Sequence, residues 1–220
     1  MHPIYASSGE QVTGMGEYEI ATGTVIALNQ VVKLTSNKVV VGLVGETSPI
    51  LGTAAEAHSG AADTLNPRST GLRIKVYDSP NQVFECAAPK STATGGSTTT
   101  FVDSTVSGFA DSDFVGGKLK LISKVAASTN LDPIGTVYDI TGSTAATGTF
   151  TFAATTALVA GDVCQVFPPA GFAKGNLDTG ISKLVLTASA ALPLEIVGYD
   201  TARGVIRHKA SLHQLGNKKA

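Results

Sequence analysis

The sequence predicts an all-β protein: a β-sandwich or barrel-like domain with an inserted small β-module and an extended N-terminal arm. Three observations predict it. From Val25 to Pro89 short Val, Ile, Leu and Thr runs recur at strand length, and each stops at Gly, Pro, Asn or Ser. Within LRIKVY, Leu72, Ile74 and Val76 alternate with Arg73, Lys75 and Tyr77, a period of two that puts one set on each face of a strand. Helical periodicity is scarce, and only AAEAHSGAAD (residues 54–63) allows a turn or so of helix.

Residues 1–22, MHPIYASSGEQVTGMGEYEIAT, show neither helical nor clean strand periodicity and read as an arm. Ile4, Tyr5, Tyr18 and Ile20 are its apolar anchors, placed to dock on a neighbouring subunit; a frayed terminus is the plainer alternative. From Thr24, ALNQVVKL followed by TSNKVVVGLVG reads as a hairpin turning at Ser36-Asn37. The continuous run Val39, Val40, Val41 is expected to be buried on both faces. Ile50 and Leu51 open the next strand, a long small-residue loop returns to Leu72, and the turn Asp78-Ser79-Pro80-Asn81 leads into QVFECAA.

At Lys90 the composition changes to STATGGSTTT, which has no side chain large enough to anchor a core and reads as a linker. FVGGKLKLIS, GTVYDITGS, TGTFTFAATT and AGDVCQVFPPAG then give four or more strands, enough for a small sandwich or barrel. Gly116-Gly117 reads as a bulge or kink entering the first of them. After Gly175 the earlier rhythm returns in SKLVLTA, PLEIVGYD and GVIRHKASLHQL. About 45 residues bury too little surface to stand alone, so these strands are expected to complete the first domain. The expected division is an arm (1–22), a discontinuous domain (23–89 plus 173–220) and an inserted module (90–172).

Composition narrows the function. Charged residues are 15% of the chain, against about 25% in a typical domain, so a broad interface would have little charge to desolvate. The formal net charge of −1 argues against nucleic acid as a partner. Arg207, Lys209, Lys218 and Lys219 form the one basic cluster and read as a solvated terminus. Neither a leader peptide nor an apolar stretch able to span a membrane is recognisable, so no membrane partner is expected. Cys86 and Cys164 fit neither zinc spacing nor a disulfide framework and are expected as free, half-buried thiols.

Catalysis is not expected. His2, His58, His208 and His213 are scattered, and the last two, five positions apart on strand and loop, do not converge on a metal; all four read as surface or interface histidines. Asp103, Asp111 and Asp113 lack the glycine and distal glutamate of a calcium loop and read as solvated turns. Nucleophile-elbow, phosphate-loop and dinucleotide motifs are absent, and no cofactor or metal is expected. Phe150, Phe152, Phe167 and Phe172 lie inside strand patterns and read as core rather than as a stacking platform for sugars or bases.

Two passages carry a family resemblance. VVKLTSNKVVVGLVGETSPILGTAAEAHSGA, with GLRIKVYDSPNQVFECAAP, resembles the bacteriophage capsid cement or head decoration proteins: a strand pair, a phrase like ILGTAAE, a small-residue loop and a strand ending near VFE. GKLKLIS through GTVYDITGSTAATGTFTF to LVAGDVCQVFPPAG is similar to a β-module that recurs in phage virion proteins, and PLEIVGYDTARGVIRHKASLHQLG looks like the end of a cement-type domain. The resemblance implies a structural protein on the exterior of the virion, assembled in the host cytoplasm. Its partner would be the major capsid protein, bound between capsomers as a homotrimer or homodimer that stabilises the expanded head. His213 and Leu215, in the tail SLHQLGNKKA, join Ile4, Tyr5, Tyr18 and Ile20 as candidates for the capsid or subunit interface. Glycan recognition by the inserted module, through aromatics such as Tyr138, and a neck or tail role are the alternatives.

Overall fold

The computed structural model describes residues 2–6, 15–43, 48–59, 72–106, 109–154, 156–172, 176–177, 184–185, 194–210 and 213–215. These residues form antiparallel sheets and one 3-10 turn, Ala145–Thr147, so the all-β class stands. One sheet runs β1 (His2–Ala6), β7 (Gln82–Ala87), β19 (Val205–Ala210), β18 (Leu194–Asp200). A second runs β2 (Gly16–Glu19), β6 (Arg73–Tyr77), β5 (Gly52–Ala54), β3 (Val31–Thr35), β4 (Lys38–Val41). The third is ordered β12 (Val137–Asp139), β11 (Lys118–Ser123), β15 (Val163–Phe167), β8 (Lys90–Thr92). The fourth is β13 (Gly142–Thr144), β14 (Thr149–Thr151), β10 (Thr100–Val102), β9 (Gly95–Gly96), and β16 (Asn176–Leu177) pairs with β17 (Leu184–Val185).

The five-stranded sheet follows its sequence closely. Ser36 and Asn37 both take positive φ, 51° and 62°, the two-residue turn whose twist matches the strands it joins. Thr35 therefore pairs with Lys38 and Val32 with Val41. The sheet curls until Ile20 meets Val39 in a parallel bridge, without closing into a barrel. Its inner face buries Ile20, Ile26, Val32, Val39, Leu51, Ala54, Ile74 and Val76. Of the valine run only Val39 is fully buried, because alternation turns Val40 outward and Val41 ends the strand. Gly52 is required by a close approach: a Cβ there would run into the Tyr77 carbonyl oxygen. Across 54–59, the described part of the stretch allowed a helical turn, the chain leaves β5 and pairs His58 with Ile26 instead; residues 60–63 lie outside the described residues.

The stretch expected as a linker is β-structure. Residues 90–96 supply β8 and β9, which pair with β15 and β10. The small side chains are what let them fit. Ser91 is buried and donates to Asp103 Oδ2 at 2.5 Å, and a Cβ on Gly96 would meet the Leu158 and Thr100 carbonyls. Apart from Ala93, the apolar filling comes from neighbouring segments as Phe101, Phe150 and Leu158, which is why the stretch needs no large anchors of its own.

The larger core is aromatic. Phe150 sits 5.0 Å from Phe114, 6.1 Å from Phe101 and 6.2 Å from Phe109, centroid to centroid. Residues from both sides of the boundaries expected at 90 and 172 share this cluster: Val31, Ile50 and Cys86 from one side, and Leu194, Ile196 and Ile206 from the returning strands. Phe167 packs on Tyr199 at 5.8 Å, and Gly171 donates to the Ile196 carbonyl at 2.8 Å. The described parts of residues 1–22 are not a free arm. β1 lies along β7 and β2 along β6, because extended backbone beside an unpaired strand edge gains a ladder of hydrogen bonds.

Candidate interaction surface

The residues expected at an interface separate into three places. Ile4 and Tyr5 lie in β1, with Tyr5 in register with Val83. Ile20 is buried in the aliphatic core and is spent on the chain's own packing. Tyr18 donates its hydroxyl to Asp78, and its phenol pKa is raised, first by burial and then by that bond. His213 pairs with Ile50 and is itself buried, Leu215 is 48% exposed, and Asp78 acts electrostatically on the His213 ring. Tyr18 and His213, distant in sequence, thus share one carboxylate.

Several groups read as solvated are interior. His208 is fully buried between Phe84, 6.0 Å away ring to ring, and Cys86, whose Sγ lies 4.0 Å from Nδ1; burial pushes its pKa down to about 3. Its position explains this, since residues 206, 208 and 210 share the buried face of β19. Asp103 is buried and accepts from Ser91 and from the Thr105 amide and hydroxyl. Arg207 and Lys209 belong to β19: Arg207 lies 3.5 Å from Glu85, and Lys209 lies 3.5 Å from Glu195. Lys218 and Lys219 lie outside the described residues. Glu85 is wholly buried and also takes both terminal nitrogens of Arg203, at 2.9 and 2.6 Å. Cys86 and Cys164 are thiols, buried rather than half-buried, and burial pushes the Cys164 thiol up to about 12. Tyr138 is buried with its hydroxyl on Asp132 at 2.9 Å, so it offers no stacking surface to a sugar.

The surface that sequence reading missed is the connection between β11 and β12. Leu131 is 81% exposed and Ile134 63% exposed, with Val125 and Val137 also at the surface. Beneath them the polar groups are turned inward. Asp162 accepts from the Val125 amide (3.1 Å), the Ser128 hydroxyl (2.9 Å) and the Val159 amide (3.2 Å). Asn130 Oδ1 accepts from the Asp132 amide (2.7 Å) and the Thr156 hydroxyl (3.0 Å), while the Lys124 ammonium donates to the Asn130 carbonyl (2.9 Å). Thr136 closes the turn by donating its amide to the Pro133 carbonyl at 3.1 Å. Asp132, Lys124 and the neighbouring Asp162 are thus engaged within the fold, and the large side chains offered outward are aliphatic. The signal was available in LDPIG, where Leu131 and Ile134 occupy turn positions that ordinarily go to polar residues.

Exposed aliphatic side chains such as these can be covered by another surface at small desolvation cost. It contains no nucleophile poised beside a base. Among the described residues no group of three or more His, Cys, Asp or Glu side chains is arranged to hold a metal ion. No family model, curated protein or solved structure matches the chain.

Proposed function

We propose that this chain is a non-catalytic structural subunit of a phage virion, binding the outer surface of an icosahedral head between capsomers and stabilising its expanded state. The observation that carries the reading is the loop between β11 and β12, where Leu131 and Ile134 lie exposed above a network of inward-turned polar groups. A loop whose backbone is already tied by hydrogen bonds loses little backbone entropy when it is covered. Modest affinity per contact suffices for such a role, because bridging two capsid subunits raises the effective concentration of the second contact. The resemblance of the 31–61 and 71–89 passages to cement proteins supports the same reading. In it the partner is the major capsid protein and the working unit a homotrimer or homodimer.

Co-sedimentation of the purified protein with expanded, undecorated heads tests the proposal, at physiological and at high salt. Saturable binding at a fixed ratio to capsid subunits, surviving high salt, is the expected result, since an aliphatic contact is not screened. Absence of binding to expanded heads would overturn it.

A further inference from the structure

Residues 213–215 are built as a strap, and its lock is a histidine. After β19 the chain reaches the five-stranded sheet, where His213 pairs in parallel with Ile50 and the Gln214 amide donates to the Ile50 carbonyl at 2.9 Å. The Gln214 side chain imitates a strand edge: its Oε1 accepts from the Leu34 amide and its Nε2 donates to the Leu34 carbonyl at 2.9 Å. A residue following the last strand of one sheet is thereby stapled to β3 of another.

His213 holds the turn of this strap in one protonation state. Its Nδ1 accepts the Leu215 amide hydrogen at 3.1 Å, so in the neutral ring the hydrogen is on Nε2. Nε2 is buried and makes no hydrogen bond of good geometry. A second proton has only Nδ1 to go to, where it would face the Leu215 N–H donor to donor, and it would leave a cation in a buried site. Among the described residues the charged group acting on the ring is Asp78, after β6, which also accepts the Tyr18 hydroxyl; Ile50 and Leu51 bring only backbone and apolar side chains.

We propose that the segment His213–Leu215 is an acid-released strap: protonation of His213 breaks its turn and frees Gln214 from Leu34, uncoupling the last strand from the five-stranded sheet. Burial holds the His213 pKa below its ordinary value, outweighing the Leu51 backbone and Asp78, which pull it up. A lowered folded pKa means that the docked strap is stable above about pH 6.5, the ordinary value for histidine, and is lost as the pH falls below it. The inference is independent of any capsid partner.

Amide exchange on the full chain tests it, read between pH 7.5 and 5.5 and corrected for intrinsic exchange. Protection of the Leu34 and Gln214 amides should fall by about tenfold, one pKa unit of differential protonation, and should stay below that of the Val39 and Ile206 amides, which report global opening. In His213→Gln the pH dependence at Leu34 and Gln214 should disappear. Should that variant fail to fold, the wild-type imidazole followed by NMR decides: its titration should share a midpoint with the loss of strap protection. Unchanged Leu34 and Gln214 protection across this range, or protection of these two amides equal to that of Val39 and Ile206 at each pH, would overturn the proposal.

Discussion

The five-stranded sheet and the region from 90 to 172 solve the same problem with different materials. The first buries an interior of Ile, Val, Leu and Ala with one aromatic ring, Tyr18, packed at its margin, closed by tight turns and the Ile20–Val39 bridge. The second places a Phe cluster between short strands and ties long connections down with buried carboxylates: Asp103, Asp132 and Asp162 each hold a loop by accepting from its amides or hydroxyls, or from a neighbouring tyrosine. Aliphatic strands keep their shape mainly through backbone pairing. Irregular connections need side chains as acceptors, because a loop that is covered must satisfy its amides somewhere. The second region can therefore present a shaped loop to a partner, and the first serves as a frame.

The largest test of that contrast is at the cores. Phe150→Ala removes a ring that touches three others and should cost about 3–5 kcal/mol, read from urea denaturation. Leu51→Ala, in the open-ended aliphatic sheet, should fall at the lower end of about 2–5 kcal/mol, because its neighbours can close on the gap. Equal losses would break the distinction between a keyed aromatic core and a yielding aliphatic one. Asp162→Ala comes next. It strands two amides and a hydroxyl, at about 1–3 kcal/mol for a donor left buried, and should raise amide exchange across 125–130 ahead of global unfolding.

Much of the frame was legible because its instructions are local. Ser36-Asn37 specifies its turn through two positive φ angles, and LRIKVY specifies its faces by alternation, so neither depends on what lies opposite. The 90–99 stretch was misread because its strands depend on other strands for bulk: Ser91 and Gly96 are informative only once Asp103, Leu158 and Phe101 are beside them. Likewise the period of two in β18 and β19 identifies strands but not which core they face. His208 was legible in principle, since VIRHKA puts it in line with Ile206 and Ala210, but a titratable side chain weighs toward the surface unless that alternation is trusted over residue type. The loop between β11 and β12 was the least legible, because its shape lies in side-chain acceptors 25 and 37 residues away, as with Thr156 and Asp162.

His208 sharpens the comparison through pH. Its folded pKa, about 3, lies below the ordinary value near 6.5, so folding is favoured by the neutral ring and the contribution is complete above about pH 6.5. As the pH falls the unfolded chain takes up the proton first, and stability should drop by about 1.4 kcal/mol per unit, or about 2 kcal/mol by pH 5. Denaturation series at pH 7 and 5 on the wild type and on His208→Leu check the sign. The variant's stability should depend less steeply on pH over this interval; an identical slope would mean that other groups set the acid limit of the fold.

The smallest effect on stability belongs to the residues on which the functional reading depends most. Leu131 and Ile134 are so exposed that Leu131→Ser with Ile134→Ser should change folding free energy by no more than about 0.5 kcal/mol. The network beneath them uses Asn130 side-chain and carbonyl oxygens and the backbone of Asp132, none of which the substitutions touch, so the loop should keep its shape. If the loop is the covered surface, the double variant should lose binding to expanded heads by tenfold or more, because two aliphatic anchors at the centre of a contact carry about 1.4 kcal/mol or more between them. Retained binding with unchanged stability would assign the capsid contact to another face, and the five-stranded sheet would cease to be only the frame.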